Sequence, residues 1–228
     1  MPVELRSKLD SQKDFDFSIT VPRAGEDARF RVNLFISQGA RGACFRYVPS
    51  QIPSFDWMGL PAELVRRIVA LHNGLVLITG PTGSGKTTTL NYLIDLINRE
   101  RRCKIVTIED PIEYRFKPKK SFIEQREVGV HVPSFNQGLL DVLREKPDVM
   151  FVGDLREPET IRLTLNAAES GHLVFATLHA SDAEDAAYRI NNCVTGENQD
   201  VIRYQFASTI SWLIVQQLTY IKSLDFRV

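Results

Sequence analysis

The sequence predicts an α/β fold: a core with a mostly parallel sheet and helices on both faces, preceded by a small partial α+β lobe with an antiparallel sheet. Three observations carry this. From Leu75 onward, short continuous apolar runs alternate with helical patterns, as buried parallel strands and their crossover helices do. Before residue 49, apolar and polar residues alternate with period two between glycine and proline breaks. One glycine-rich stretch lies between an apolar run and a helical pattern, where an open parallel sheet places its ligand. The boundaries that follow are a lobe over 1–48, a linker over 49–59 and a core over 60–228.

Residues 1 to about 12 are polar and are expected to fray. Phe15-Asp16-Phe17, Arg29 to Phe35 and Gly42 to Val48 read as three half-buried strands with arginines on their polar side. Prolines stiffen the stretch from Pro49 to Pro53. Pro61 suits the first turn of a helix carrying Leu64, Ile68 and Leu71, and Gly74 suits its end. In the core, Gly74 to Thr79, Lys104 to Ile108, Val149 to Val152 and Leu173 to Thr177 read as strands. Leu90, Leu93, Ile94 and Ile97 are spaced as a helix. Ser134 with Gln137, and Ser181 with Glu184, read as capping boxes, and Pro158 and Gly171 bracket another helix. The greasy segment from Ile210 to Ile221, broken by Gln216 and Gln217, reads as a core helix.

Of 228 residues, 43% are hydrophobic and 25% charged, and the formal net charge is zero. That is an ordinary globular composition, with no global field to draw the chain to nucleic acid or an anionic membrane. The basic clusters Arg99 to Arg102 and Lys117 to Lys120 read as solvated loops. Cys44, Cys103 and Cys193 are far apart and no C-x-x-C occurs, which argues against a zinc knuckle and suits a reducing cytosol. No apolar run has the length of a membrane span, and no signal peptide opens the chain.

The chemistry centres on Gly80-Pro81-Thr82-Gly83-Ser84-Gly85-Lys86-Thr87. It matches G-x-x-x-x-G-K-[ST], a loop whose backbone N–H groups cradle phosphates while the lysine reaches the β- and γ-phosphates and the hydroxyl ligates Mg²⁺. The helix that follows points its positive end at the same place. After the next strands come Glu109, Asp110 and Glu113, then Gly153 and Asp154, then His179. Asp154 is placed to hold Mg²⁺ or its waters, together with Thr87. Glu113, with Glu109 second, is placed to polarise an attacking water. His179 is placed to sense a γ-phosphate, His172 less so.

These motifs resemble the secretion ATPases that drive type IV pili and type II and IV secretion, the GspE/PilT family. Ile78 through Thr88 is similar to its Walker A stretch, which adds Thr88 to the nucleotide contacts. Ile108-Glu109-Asp110-Pro111-Ile112-Glu113-Tyr114 resembles its aspartate box. Leu143 to Asp148, the next strand and Gly153-Asp154-Leu155-Arg156-Glu157 resemble its Walker B signature. Ala167 through His179 resembles its histidine box. The likeness runs from Phe15 to Gln217.

The resemblance implies a RecA-like core that hydrolyses ATP with Mg²⁺. Arginines of the first lobe would approach the phosphates, and Arg31, Arg41 and Arg46 match. It implies homo-hexameric rings at the cytoplasmic face of the inner membrane, which pass force to a platform protein and drive pilus retraction and twitching motility. The alternatives are a type IV secretion or conjugation ATPase, and a nucleotide-binding subunit without turnover. No nucleic-acid partner is expected. Two acids depart from the family pattern: Asp154 stands for its usual Glu and Glu157 for its usual Asp. The four-cysteine insert of assembly ATPases is missing, which favours the retraction branch. The core is expected to be truncated at its C-terminal end, because the helical segment that marks retraction motors is missing.

Overall fold

The computed structural model describes residues 10–11, 14–24, 27–48, 51–54, 58–194, 198–221 and 226–227. The expected fraying over residues 1–9 and 12, and the linker residues 49, 50 and 55–57, lie outside the described residues. The chain forms two compact units, residues 1–51 and 52–228.

In the first unit, β1 (Asp14–Val21), β2 (Ala28–Ser37) and β3 (Ala40–Val48) make an antiparallel sheet in that order. Gln38 and Gly39, both at positive φ, turn β2 into β3 through a two-residue loop. Such a turn matches the right-handed twist of the strands it joins. The alternation read from the sequence sorts the faces. One face carries Phe15, Phe17, Val32 and the aromatic group Phe30, Phe45 and Tyr47, with ring centroids 5.8–6.4 Å from Phe30. The other carries Asp16 paired with Arg31 at 3.2 Å and Asp14 accepting from Asn33 at 2.7 Å.

The second unit is built on a six-stranded sheet. Its elements are α1 (Ala62–Val69), β4 (Gly74–Thr79), α2 (Lys86–Glu100), β5 (Lys104–Glu109), β6 (Phe122–Glu127), α3 (Phe135–Leu143) and β7 (Val149–Val152). Then come α4 (Pro158–Glu169), β8 (Leu173–Leu178), α5 (Ala183–Asn191), α6 (Asn198–Thr209), β9 (Ile210–Val215) and the short pair β10 (Tyr220–Ile221) and β11 (Phe226–Arg227). The strand order is β6-β5-β7-β8-β4-β9 and every pairing in it is parallel. Every residue of β4, β7 and β8 is buried. That is why these strands read as continuous apolar runs. Val76, Ile78, Ile105, Phe151 and Phe175 pack on one face with α1 and α2. Leu75, Leu77, Val106, Ile108, Met150 and Val152 pack on the other with α3, α4, α5 and α6.

Several local expectations changed. The segment from Ile210 is not a core helix: α6 ends at Thr209 and β9 follows at once, paired with β4. The β-branched residues Ile210, Ile214 and Val215, with Trp212, suit an extended strand, and the otherwise open edge of β4 supplies its backbone partners. The cap of α5 is Asp182, not Ser181: its side chain accepts from Asp185 N at 2.7 Å, while Ser181 N donates to Asp185 Oδ2 at 2.9 Å. The carboxylates displaced the hydroxyl because a charged acceptor makes the stronger bond to a helix-end N–H. α1 ends at Val69, short of Gly74; Gly74, at φ 96°, starts β4, as the apolar run from Gly74 to Thr79 predicts. The cluster from Lys117 is only partly a solvated loop, since Lys119 Nζ pairs with the buried Asp95 at 2.6 Å.

Ser134 does cap α3, its hydroxyl accepting from Gln137 N at 3.1 Å. Ser134→Ala is expected to cost about 1 kcal/mol. A urea melt checks this: the midpoint should fall with the slope unchanged.

Candidate nucleotide site

The carboxyl ends of the parallel strands collect the polar groups. The loop after β4 turns through Gly80, Gly83 and Gly85, all at positive φ. Gly80 has a second reason to be glycine: a Cβ there would lie 2.1 Å from Gln216 O. Gly85, at φ 85°, is the N-cap of α2, and no side chain caps that helix. The first-turn N–H groups of α2 are therefore left for an anion rather than for the protein. Lys86 is buried and its Nζ donates to Gly80 O at 2.9 Å and Pro81 O at 3.0 Å. Burial lowers its pKa, and Asp154 opposes that shift. Asn91 Nδ2 ties the carbonyl of Thr87 at 2.8 Å, one turn along α2.

Glu109 ends β5 and is 2% exposed. It accepts from Thr107 Oγ1 at 2.6 Å and Gln125 Nε2 at 3.1 Å, and from Glu113 N at 3.4 Å. Glu127, at the end of β6, accepts from Ile112 N at 3.1 Å. Two buried carboxylates thus hold the backbone that presents the half-buried Glu113. Gln125 braces the same turn, donating to Tyr114 O at 2.7 Å and accepting from Phe116 N at 2.9 Å. Tyr114 bonds the side chain of Thr88, which joins this turn to the helix behind the phosphate loop; burial raises the Tyr114 pKa.

Burial pushes the Glu109 carboxyl up to about 7, against the hydrogen bonds from Thr107 and Gln125. Its folded value lies above its usual 4.5, so the folded chain holds a proton that the unfolded chain has lost between those values. The contribution of this carboxyl to stability is full below pH 4.5 and is lost as pH rises from there through about 7. The expected loss is about 3 kcal/mol at most. Urea midpoints measured from pH 5 to 8 should decline in wild type, and the decline should flatten in Glu109→Gln.

Asp154 follows β7, whose path is set by Gly153 N donating to Ile108 O at 2.8 Å and Thr177 Oγ1 donating to Gly153 O at 2.5 Å. Its Oδ2 accepts from Arg156 Nε at 2.5 Å and lies 3.5 Å from His179 Nε2. Its Oδ1 is buried and has no hydrogen-bond partner among the described residues. Burial lowers the His179 pKa, and Lys86, Arg156 and Arg189 add to that; Asp154 opposes it. His172 stands apart from this group. It precedes β8, at the opposite end of that strand, and its Nδ1 lies 2.9 Å from Ala167 O, a helix-end contact. In the first unit, Arg31 and Arg46 face each other across β2 and β3 on one side of the sheet, while Arg41 is on the other side and pairs with Asp10.

A phosphate loop, a lysine tethered over it and a carboxylate beyond the second strand from it make a nucleotide fold recognisable, and the comparisons assign it. A family model described as "Type II/IV secretion system protein" matches residues 14–224. The chain belongs to the type II/IV secretion system protein family. It is 42% identical, over 93% of its length and 61% of the relative's, to the type IV pilus retraction ATPase PilT of Pseudomonas aeruginosa. It is 43% identical to a twitching motility protein of Neisseria gonorrhoeae, over 90% of this chain and 54% of that one. Among solved structures, the retraction motor PilT with bound ADP superposes with a TM-score of 0.88 at 44% identity, covering 96% of this chain and 62% of that one. The Legionella pneumophila ATPase DotB gives 0.84 at 31%, covering 99% and 63%. The chain thus spans between half and two thirds of the length of these relatives. Among the described residues, no helix is long and apolar enough to cross a membrane.

Gln125, Glu127, Tyr114 and Gln216 were not singled out from sequence. β6 reads Phe-Ile-Glu-Gln-Arg-Glu, too polar to announce a strand in a buried sheet. Its position at the sheet edge explains that composition.

Proposed function

We propose that this chain is the ATP-hydrolysing part of a motor subunit of type IV pilus retraction or a related secretion machine. The observation that carries the proposal is the convergence, at the carboxyl ends of the parallel strands, of the glycine loop, Lys86, the braced Glu113 and Asp154. Gly80 to Thr88 hold the phosphates. Lys86, already turned over the loop, meets the β- and γ-phosphates. Glu113 takes the proton of a water whose oxygen bonds to the γ-phosphorus as the bond to the β-bridging oxygen breaks, leaving ADP and phosphate. His179, kept neutral by burial, reads the γ-phosphate beside Asp154.

The residues fit a Mg²⁺ ion. Asp154 Oδ1 is a buried acceptor without a donor, and Thr87 offers a hydroxyl at the start of α2. Among the described residues no cluster of three or more His, Cys, Asp or Glu could hold a metal. That suits a cation held by one carboxylate, one hydroxyl, waters and the nucleotide itself. When bound, the ion neutralises charge on the β- and γ-oxygens.

In this reading the motor is a homo-hexamer at the cytoplasmic face of the inner membrane, acting on a platform protein. The family description, type II/IV secretion system protein, supports a secretion cargo as the second reading. A subunit without turnover is the third, favoured by the short Asp154 tied to Arg156. Mg²⁺-dependent ATP hydrolysis across a range of protein concentrations separates the two motor readings from the third. Turnover per subunit that rises with concentration supports the ring motor. ATP binding without turnover at any concentration leaves the third reading.

A further inference from the structure

We propose that Gln216 is a positioning residue that latches the phosphate loop in its anion-binding shape. The inference rests on reading that loop as the ATP site. Gln216 follows the last residue of β9. Its backbone N donates to Thr79 O at 2.8 Å, which fixes it beside the first residue of the loop. Its side chain then crosses to the far end of the loop, where Nε2 donates to Ser84 O at 2.7 Å. The fit is tight at both ends. A Cβ on Gly80 would lie 2.1 Å from Gln216 O, and one on Gly85 would lie 2.9 Å from Gln216 Nε2. The reverse amide orientation would set two oxygens against each other, so the donor must face Ser84. Among the described residues Gln216 Oε1 is buried without a partner, so the Ser84 bond is what compensates there for burying this amide.

The consequence follows from peptide geometry. In a trans peptide the carbonyl and the next N–H point in opposite directions. Anchoring Ser84 O against Gln216 therefore turns Gly85 N–H away from β9, into the concave side of the loop. Gly85 tolerates either orientation of that peptide, so nothing local to the loop selects one. Lys86 occupies the carbonyls of Gly80 and Pro81, and Thr89 N occupies that of Gly85 at 2.9 Å. Gln216 completes the set from outside the motif. Ser84 N itself donates to Pro81 O at 3.2 Å, so the amide that the latch aims at phosphate oxygens is that of Gly85.

The test uses the full chain with Gln216→Met, which keeps length and removes the donor, and Gln216→Glu, which keeps length and acceptors but has no donor at neutral pH. Equilibrium binding of ADP with Mg²⁺ is measured beside steady-state ATP hydrolysis and thermal melting. Both variants should weaken ADP binding and raise KM for ATP by about threefold to tenfold. Because the loop grips the phosphates equally in ground and transition states, kcat should stay within about twofold. The melting temperature of Gln216→Met should match wild type. Unchanged ADP affinity in both variants, with wild type binding and turning over normally, overturns the latch and leaves the ATP site standing. A fall in kcat and melting temperature at unchanged KM also overturns it, as a merely structural role would. A wild-type chain that binds no nucleotide overturns the site reading, and the latch with it.

Discussion

Lys86→Ala is expected to reduce ATP hydrolysis to background and to weaken nucleotide binding, the largest single loss available in this chain. Lys86 is 6% exposed and its amine is within 3.0 Å of two loop carbonyls, so it is held over the loop before any phosphate arrives. Its pKa is lowered by burial, yet Asp154 opposes the shift and favours the ammonium form. Such a charge costs little reorganisation when a phosphate takes the place of the carbonyls. Removing one preorganised donor of this kind costs at least ~10² in kcat. The lysine also ties Gly80 to Pro81, so its loss loosens the loop itself. Lys86→Gln separates the two effects. It retains a hydrogen-bond donor without the charge, so it should keep more thermal stability than alanine while remaining as inactive. Single-turnover hydrolysis beside melting curves checks this. An alanine variant retaining a tenth or more of wild-type kcat would remove Lys86 from the chemistry.

Glu113→Gln is expected to lower kcat by ~10² to 10⁴ with nucleotide binding nearly intact. The contrast with Glu109 makes the prediction specific. Both are strand-end acids of the same box, separated by four residues. Glu109 is buried, pushed up to about 7, and spends its oxygens on Thr107, Gln125 and the backbone of Glu113. Glu113 is half-buried and sits on the turn that Glu109, Glu127 and Gln125 brace. A carboxylate with that support meets the requirement for a general base: a fixed position and an accessible oxygen. Glu109→Gln should therefore act mainly on the pH dependence of stability, while Glu113→Gln acts on kcat. ADP affinity, kcat and urea midpoints measured for both variants decide it. Comparable kcat losses in the two would mean that the turn as a whole matters and that Glu113 has no separate role.

The differing success of sequence reading across the chain has a physical basis. Buried parallel strands face apolar neighbours on both sides, so β4, β7 and β8 had to be continuous apolar runs and were visible as such. Ser134 and Gln137 are three residues apart, so their cap was also local. The α5 cap was one residue off because Ser181, Asp182 and Asp185 all offer acceptors there, and only the folded turn chose among them. The edge strands β6 and β9 were missed for the same kind of reason. An edge has solvent on one side, which admits Glu124, Arg126 and Ser211, and its strand character comes from a partner distant in sequence.

The residues by themselves determined the chemistry offered: a phosphate loop, a lysine, a hydroxyl and acids after apolar strands. They are contiguous or follow directly on strands, and short-range backbone physics dictates their form. Only the tertiary structure decided which acid is half-exposed on the turn and which is buried beneath it as a brace. Only it placed Gln125 and Glu127 behind Glu113, left Asp154 Oδ1 without a donor, and brought Gln216 onto a loop 132 positions earlier in the chain. Those relations depend on the strand order β6-β5-β7-β8-β4-β9. That order comes from packing two apolar faces against helices, a property of the whole sheet that no local window of sequence contains.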